Sequence, residues 1–131
     1  MANTPPKTST PAAIQAYFTA IRRMDREAWV ATFAADATSH DPIGSPARMG
    51  HDALRTFFDG ITSLTQSVAL WEDDVFACGN HVAVKWTGTG VGKNERAFRV
   101  EGIDVFELDE RGKIKTLKAY WNPAELMAQL A

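Results

Sequence analysis

Apolar positions follow two different periods along the chain, and the change falls near Ser63. Before it the spacing is helical. In "AAIQAYFTAIRRM", Ile14, Tyr17, Phe18 and Ile21 fall at i, i+3, i+4 and i+7, which predicts one apolar helix face. Thr10 is the expected N-cap of that helix, with Pro11 at its first position. Asp25 is the expected N-cap of a second helix, "REAWVATFAADA", presenting Trp29, Val30 and Phe33. Ala37 to His40 is expected as a short strand leading into a turn at Asp41-Pro42. A third helix, "HDALRTFFDGI", has Leu54, Phe57, Phe58 and Ile61 on its apolar side.

After Ser63 apolar and polar residues alternate with period two. The segments "QSVALWEDDVFA", "HVAVKWTGTG", "ERAFRVEGIDVFEL" and "KIKTLKAYW" are predicted as strands. Gly79-Asn80, Gly92-Lys93-Asn94 and Glu110-Arg111-Gly112 supply the turns between them. Connections this short imply antiparallel pairing. "PAELMAQLA" is expected as a terminal helix with Pro123 near its start. Helices first and strands afterwards define an α+β class, an antiparallel sheet whose apolar face is covered by helices.

The totals narrow the function without identifying it. The 131 residues fit one domain with a single core, expected over 10–131 behind a disordered segment 1–9. A net charge of −2 gives no electrostatic reason to expect nucleic acid or an anionic membrane as partner. The single Cys78 excludes a disulfide framework. "MANTPPKTST" has no apolar segment and is not expected to be a secretory signal, and no run approaches a membrane span, so a cytoplasmic protein is expected.

One residue breaks the alternation. On the strand "AFRVEGIDVFEL", Phe98, Val100, Gly102, Asp104, Phe106 and Leu108 share a face, and only Asp104 is charged. It should therefore point into the core or into a cavity within it. A carboxyl in that position either pairs with a basic group or a backbone N–H, or stays neutral and donates a hydrogen bond. Gly102, on the same face, leaves room for a ligand or a bend. Tyr17 is the other amphipathic residue on an apolar face. Asp41, taken alone, is a turn residue. Phe33, Phe58, Trp86, Phe106 and Trp121 are core aromatics or the lining of an apolar cavity.

Together, Tyr17 on the first helix, Asp41 in "HDPIGS" and Asp104 in "GIDVF" resemble the ketosteroid isomerase pattern, within the nuclear transport factor 2-like (SnoaL-like) superfamily. The resemblance runs from about Ala12 to Asn122 and is densest in "FAADATSHDPIGSPARMG". It implies a cone: a strongly curved antiparallel sheet packed on three N-terminal helices around an enclosed apolar pocket. It further implies Asp41 as general base, with Tyr17 and a protonated Asp104 as oxyanion donors, this family being the established example of a carboxylic acid kept neutral for that purpose. Phe58 and Phe33 stand where the family commonly supports its tyrosine with further tyrosines. Trp121 falls at a pocket aromatic near the base.

The resemblance implies a small apolar carbonyl-containing ligand, no cofactor, and a homodimer packed through the open sheet face, where Trp71, Lys85 and Thr87 would lie. The same residues suit a SnoaL-like polyketide cyclase or other enolate chemistry. A non-catalytic small-molecule binding module on this fold needs neither. No metal is expected: His40, Asp41 and His51 are the clustered candidate ligands, without a recognised ligand spacing. "GTGVGK" reads as a hairpin turn rather than a phosphate loop.

Overall fold

In a computed structural model that describes residues 9–131, helix α1 (Ala12–Arg22) begins directly after Pro11. The cap therefore lies one residue later than expected. Pro11 has an extended ψ of 145°, and its carbonyl accepts the first two backbone bonds, from Ile14 and Gln15, with no side-chain cap. At the other end Met24 turns left-handed at φ 52°, Met24 N–H bonds to Ile21 O, and Asp25 N–H bonds to Ala20 O. That paired closure ends the helix. Asp25 then caps α2 (Arg26–Val30) by accepting from the Ala28 N–H, as its position predicts. The expected disorder of segment 1–9 falls almost entirely outside the described residues.

Helix α2 is far shorter than its sequence suggests. Its expected second half, "FAADA", belongs instead to strand β1 (Phe33–His40). Thr32 is the break: its hydroxyl and N–H both bond back to Trp29 O, while its carbonyl accepts from Ile114 N–H of the sheet. Alanine is the best helix former, but propensity is a small preference, and a ladder bond plus burial of Phe33 outweighs it. β2 (Arg48–Met49) is a two-residue strand that the alternation did not reveal. It leads into α3 (Gly50–Leu64), which buries Leu54 and Phe58.

β3 (Thr65–Cys78), β4 (His81–Gly92), β5 (Ala97–Leu108) and β6 (Ile114–Tyr120) follow as antiparallel neighbours, and α4 (Pro123–Leu130) closes the chain. The curved, unclosed sheet has the order β2-β1-β6-β5-β4-β3. β1 joins β6 in parallel, through a pairing between distant segments that local spacing does not encode. β3 carries two register shifts, near Ser67 and Glu72, and such bulges bend a strand. The bend wraps the inner sheet face over α1 and α3. Val84, Phe106, Ile114 and Leu117 from that face are fully buried beside Ile14, Phe18 and Leu54. The opposite face exposes Trp71, Phe76, Ile103 and Tyr120 around a Lys85–Asp73–Glu101 ion-pair cluster.

Candidate active site

All four helices, strands β3, β4 and β5, and the residues that follow β1 and β6 line a single cavity. Its walls are apolar, with Ile21 of α1, Phe57 and Ile61 of α3, Leu70 of β3, Val100 of β5 and Leu126 of α4 among them. Tyr17, Asp41, Asp104, Trp86 and Trp121 all contribute to the lining, and the tyrosine and the two acids lie near enough to act on one another's charge. The interior volume is about 90 Å³.

Asp41 follows β1 and is held from several sides. The turn after it docks on the sheet through Ile43 N–H to Ala119 O, and the Ser45 hydroxyl folds back onto Pro42 O. Arg48 donates to the Asp41 backbone carbonyl at 2.8 Å. Trp121 donates its indole N–H to Asp41 Oδ1 at 2.6 Å. Asp41 is only 6 % exposed, so it is not the water-facing turn carboxylate that its Asp-Pro context suggests. Burial pushes its carboxyl up to about 6, against the opposing pull of the Trp121 N–H and the Arg48 charge.

Asp104 lies on the inner face of β5, as the alternation predicts, and is 2 % exposed. Among the described residues no basic side chain pairs with it. Burial pushes its carboxyl well up, and the Asp41 charge adds to that, with the Trp86 N–H opposing. Two carboxyls in one cavity cannot both ionise cheaply. Asp41, with a charge-stabilising donor and a nearby arginine, is the one that ionises first.

Tyr17 is packed by the rings of Phe18, Trp29, Phe33 and Phe106, with centroids 4.9, 5.8, 5.9 and 5.1 Å away. Burial holds its hydroxyl well above the ordinary phenol range, the Asp104 and Asp41 charges add to this, and the Trp29 N–H opposes. Trp29 Nε1 and Trp86 Nε1 both act on site oxygens without closing to full hydrogen-bond geometry.

Of the aromatics singled out in the sequence, Phe58, Trp86 and Trp121 line the cavity. Phe33 and Phe106 do not: their rings stand behind Tyr17 and are sealed in the core. Nor does Gly102 leave open space, because the Trp86 ring fills it. Trp29 and Arg48 escaped notice in the sequence. Trp29 sits on an apolar helix face and reads as core, and only Arg48's place in the same turn segment as Asp41 hinted at a role. The His51 Nε2 lies 3.0 Å from Phe33 O. Among the described residues no group of three or more His, Cys, Asp or Glu side chains is placed to hold a metal ion.

A curved α+β sheet enclosing an apolar cavity, with a tyrosine and two buried acids in its lining, defines a class of small ligand-binding and enzymatic domains. The chain belongs to the SnoaL-like domain family, whose pattern matches residues 14–117. It is 29% identical over 116 residues to the steroid Delta-isomerase of Nocardioides simplex, covering 88% of this chain and 92% of that one. Among solved structures it is similar to SalBIII, an epoxide hydrolase/cyclase-like enzyme of pyran ring formation in the polyether salinomycin, at 26% identity and a TM-score of 0.77, covering 86% of this chain and 90% of that one. A protein with a ketosteroid isomerase-like fold from Catenulispora acidiphila superposes with a TM-score of 0.82 at 19% identity, covering 92% and 93% of the two chains.

Proposed function

We propose that the chain is a cofactor-independent isomerase of the ketosteroid isomerase type, moving a C=C bond in an apolar enone. The observation that carries this reading is the meeting of Asp41, Tyr17 and Asp104 in one apolar cavity. Asp41 takes a proton from the carbon next to the carbonyl and returns it to the far end of the dienolate, so the reaction needs no other reactant. Tyr17 and neutral Asp104 donate hydrogen bonds to the dienolate oxygen between the two transfers. The division of labour follows from environment: the acid near pKa 6 is ionised at neutral pH, while the more strongly shifted one keeps its proton. The likeness to a named steroid isomerase supports a ring-bearing substrate. The cavity's 90 Å³ is well below the roughly 150 Å³ that lodges one benzene ring in an engineered protein cavity. A fused-ring enone therefore requires side chains of α3 and α4, Ile61 and Leu126 among them, to yield. The deciding experiment is Asp41→Asn assayed on a fused-ring enone. Turnover should vanish while the fold and the binding of an apolar phenol persist; undiminished turnover would sink the reading.

The likeness to SalBIII favours a second reading, in which the same acids start a ring closure rather than a double-bond shift. A substrate panel with and without a fused-ring enone separates the two. Turnover of neither, with phenol binding intact, would leave a binding module.

We also propose a homodimer built on the outer sheet face, where Phe76 is 70 % and Trp71 52 % exposed. Lys85 and Thr87 both bind Asp73 on that face and would frame the apolar patch. Sedimentation equilibrium should give twice the chain mass, and Phe76→Lys should return it to one.

A further inference from the structure

Trp86 and Gly102 face each other directly across the β4–β5 ladder. A Cβ on residue 102 would lie 2.5 Å from Trp86 Cζ2, so the indole occupies the space that glycine leaves. Asp104 projects from the same side of β5, two residues further on. Among the described residues, three buried side-chain polar atoms have no hydrogen-bond partner, and two of them are Trp86 Nε1 and Asp104 Oδ2. Leaving either group unsatisfied carries the full desolvation penalty of that group. One of them only donates and the other can accept, which makes them natural partners.

Asp104 lines the cavity, yet Oδ2 is sealed from it. The oxygen offered to the cavity is therefore Oδ1. A neutral carboxyl has one hydroxyl end and one carbonyl end, and which oxygen carries the proton decides whether the acid can donate to a ligand. An indole N–H cannot accept, so an N–H directed at Oδ2 disfavours a proton there.

We propose that Trp86 is a positioning residue for Asp104: its indole N–H is the donor meant for Oδ2, short of full hydrogen-bond geometry here, and by closing on that oxygen it holds the acid's proton on Oδ1, facing the cavity. This rests on the reading of Asp104 as a neutral oxyanion donor. The direction in which the indole acts on the Asp104 carboxyl, opposing the effect of burial, supports it. Gly102 is part of the same device, since any side chain there would move the indole.

The test reads the carboxyl itself, not turnover. Trp86→Phe keeps a ring over Gly102 and removes the N–H, and a benzothiophene analogue of tryptophan at position 86 keeps both rings and removes only the N–H. The infrared carbonyl stretch of neutral Asp104 is identified as the band lost in Asp104→Asn. In both Trp86 variants that band should move to higher frequency, because an accepted hydrogen bond is gone. Affinity for an apolar phenol should fall about fivefold to tenfold, the size of one ordinary hydrogen bond. A band that stays in place in the benzothiophene variant, or a wild-type chain with no neutral-acid band, would overturn the proposal. A shifted band without enone turnover keeps Trp86's role and removes the isomerase; turnover with an unmoved band does the reverse.

Discussion

The Trp121 indole donates to Asp41 Oδ1 across 2.6 Å, joining two residues 80 positions apart. Asp41 follows β1 and Trp121 follows β6, so the bond forms only when β1 lies beside β6. It is also a control on basicity. A donor to the ionised carboxylate lowers its pKa, opposing burial, which raises it. Trp121→Phe should therefore raise the Asp41 pKa above about 6. The rising acid limb of kcat/KM against pH should move to higher pH, with activity lost most at the acid end. A pH–rate profile checks this; an unmoved limb would mean that the bond does not tune the base.

Asp41→Asn should abolish turnover and yet stabilise the fold at neutral pH. The folded pKa, about 6, lies above the ordinary 3.8, so the folded chain holds a proton that the unfolded chain has released. Stability from this group is present below the unfolded value and is lost as pH rises through about 6. At pH 7 the buried charge thus costs on the order of 2–3 kcal/mol, which asparagine avoids. Thermal melts should show a higher Tm for the variant at pH 7 and a much smaller gain at pH 4. An equal gain at both would assign the effect to packing instead.

Tyr17→Phe removes a hydroxyl while keeping the ring among Phe18, Phe33 and Phe106. If the hydroxyl stabilises an oxyanion, kcat should fall on the order of 100- to 1,000-fold with little change in KM. Trp29→Phe acts one step further back. Its N–H lowers the Tyr17 pKa, so its loss should raise that pKa further and reduce kcat by a smaller factor. Ultraviolet titration of the tyrosine reads the shift without any substrate, and no shift would reduce Trp29 to packing.

Much of this was legible along the chain because period and burial coincide. Asp104 stood out as the lone charge on an apolar strand face, and it is buried there. Tyr17 followed from the spacing of α1. What stayed hidden depends on distant pairing. "FAADA" has helix-forming composition, and only its parallel partnership with β6 makes it a strand. That pairing also carries Asp41 beneath Trp121, which no local pattern contains. Phe33 and Phe106 could not be told from cavity residues, because backing a ring and lining a space need the same side chains. Trp29 was hidden for a related reason: an indole is apolar in pattern, and its one donor matters only once the Tyr17 hydroxyl lies beside it.

Gly102 offers the sharpest test of the packing behind the site. Alanine for glycine inside a strand ordinarily stabilises by roughly 0.5–1 kcal/mol. At Gly102 the added methyl would lie 2.5 Å from Trp86 Cζ2 and 2.7 Å from the Tyr120 backbone oxygen, and the backbone cannot retreat without breaking the β5–β6 ladder. Gly102→Ala should therefore destabilise by about 1–3 kcal/mol and displace the indole. Gly88 is the control. The three atoms nearest a methyl there belong to the side chains of Val100, Trp86 and Leu70, at 3.0, 3.2 and 3.3 Å, a looser fit than the 2.5 and 2.7 Å approaches at residue 102. Gly88→Ala should cost markedly less in urea unfolding and leave phenol affinity near wild type, whereas Gly102→Ala should lose both. Equal losses at the two positions would show that crowding of the sheet in general, and not the seat of Trp86, sets the geometry around Asp104.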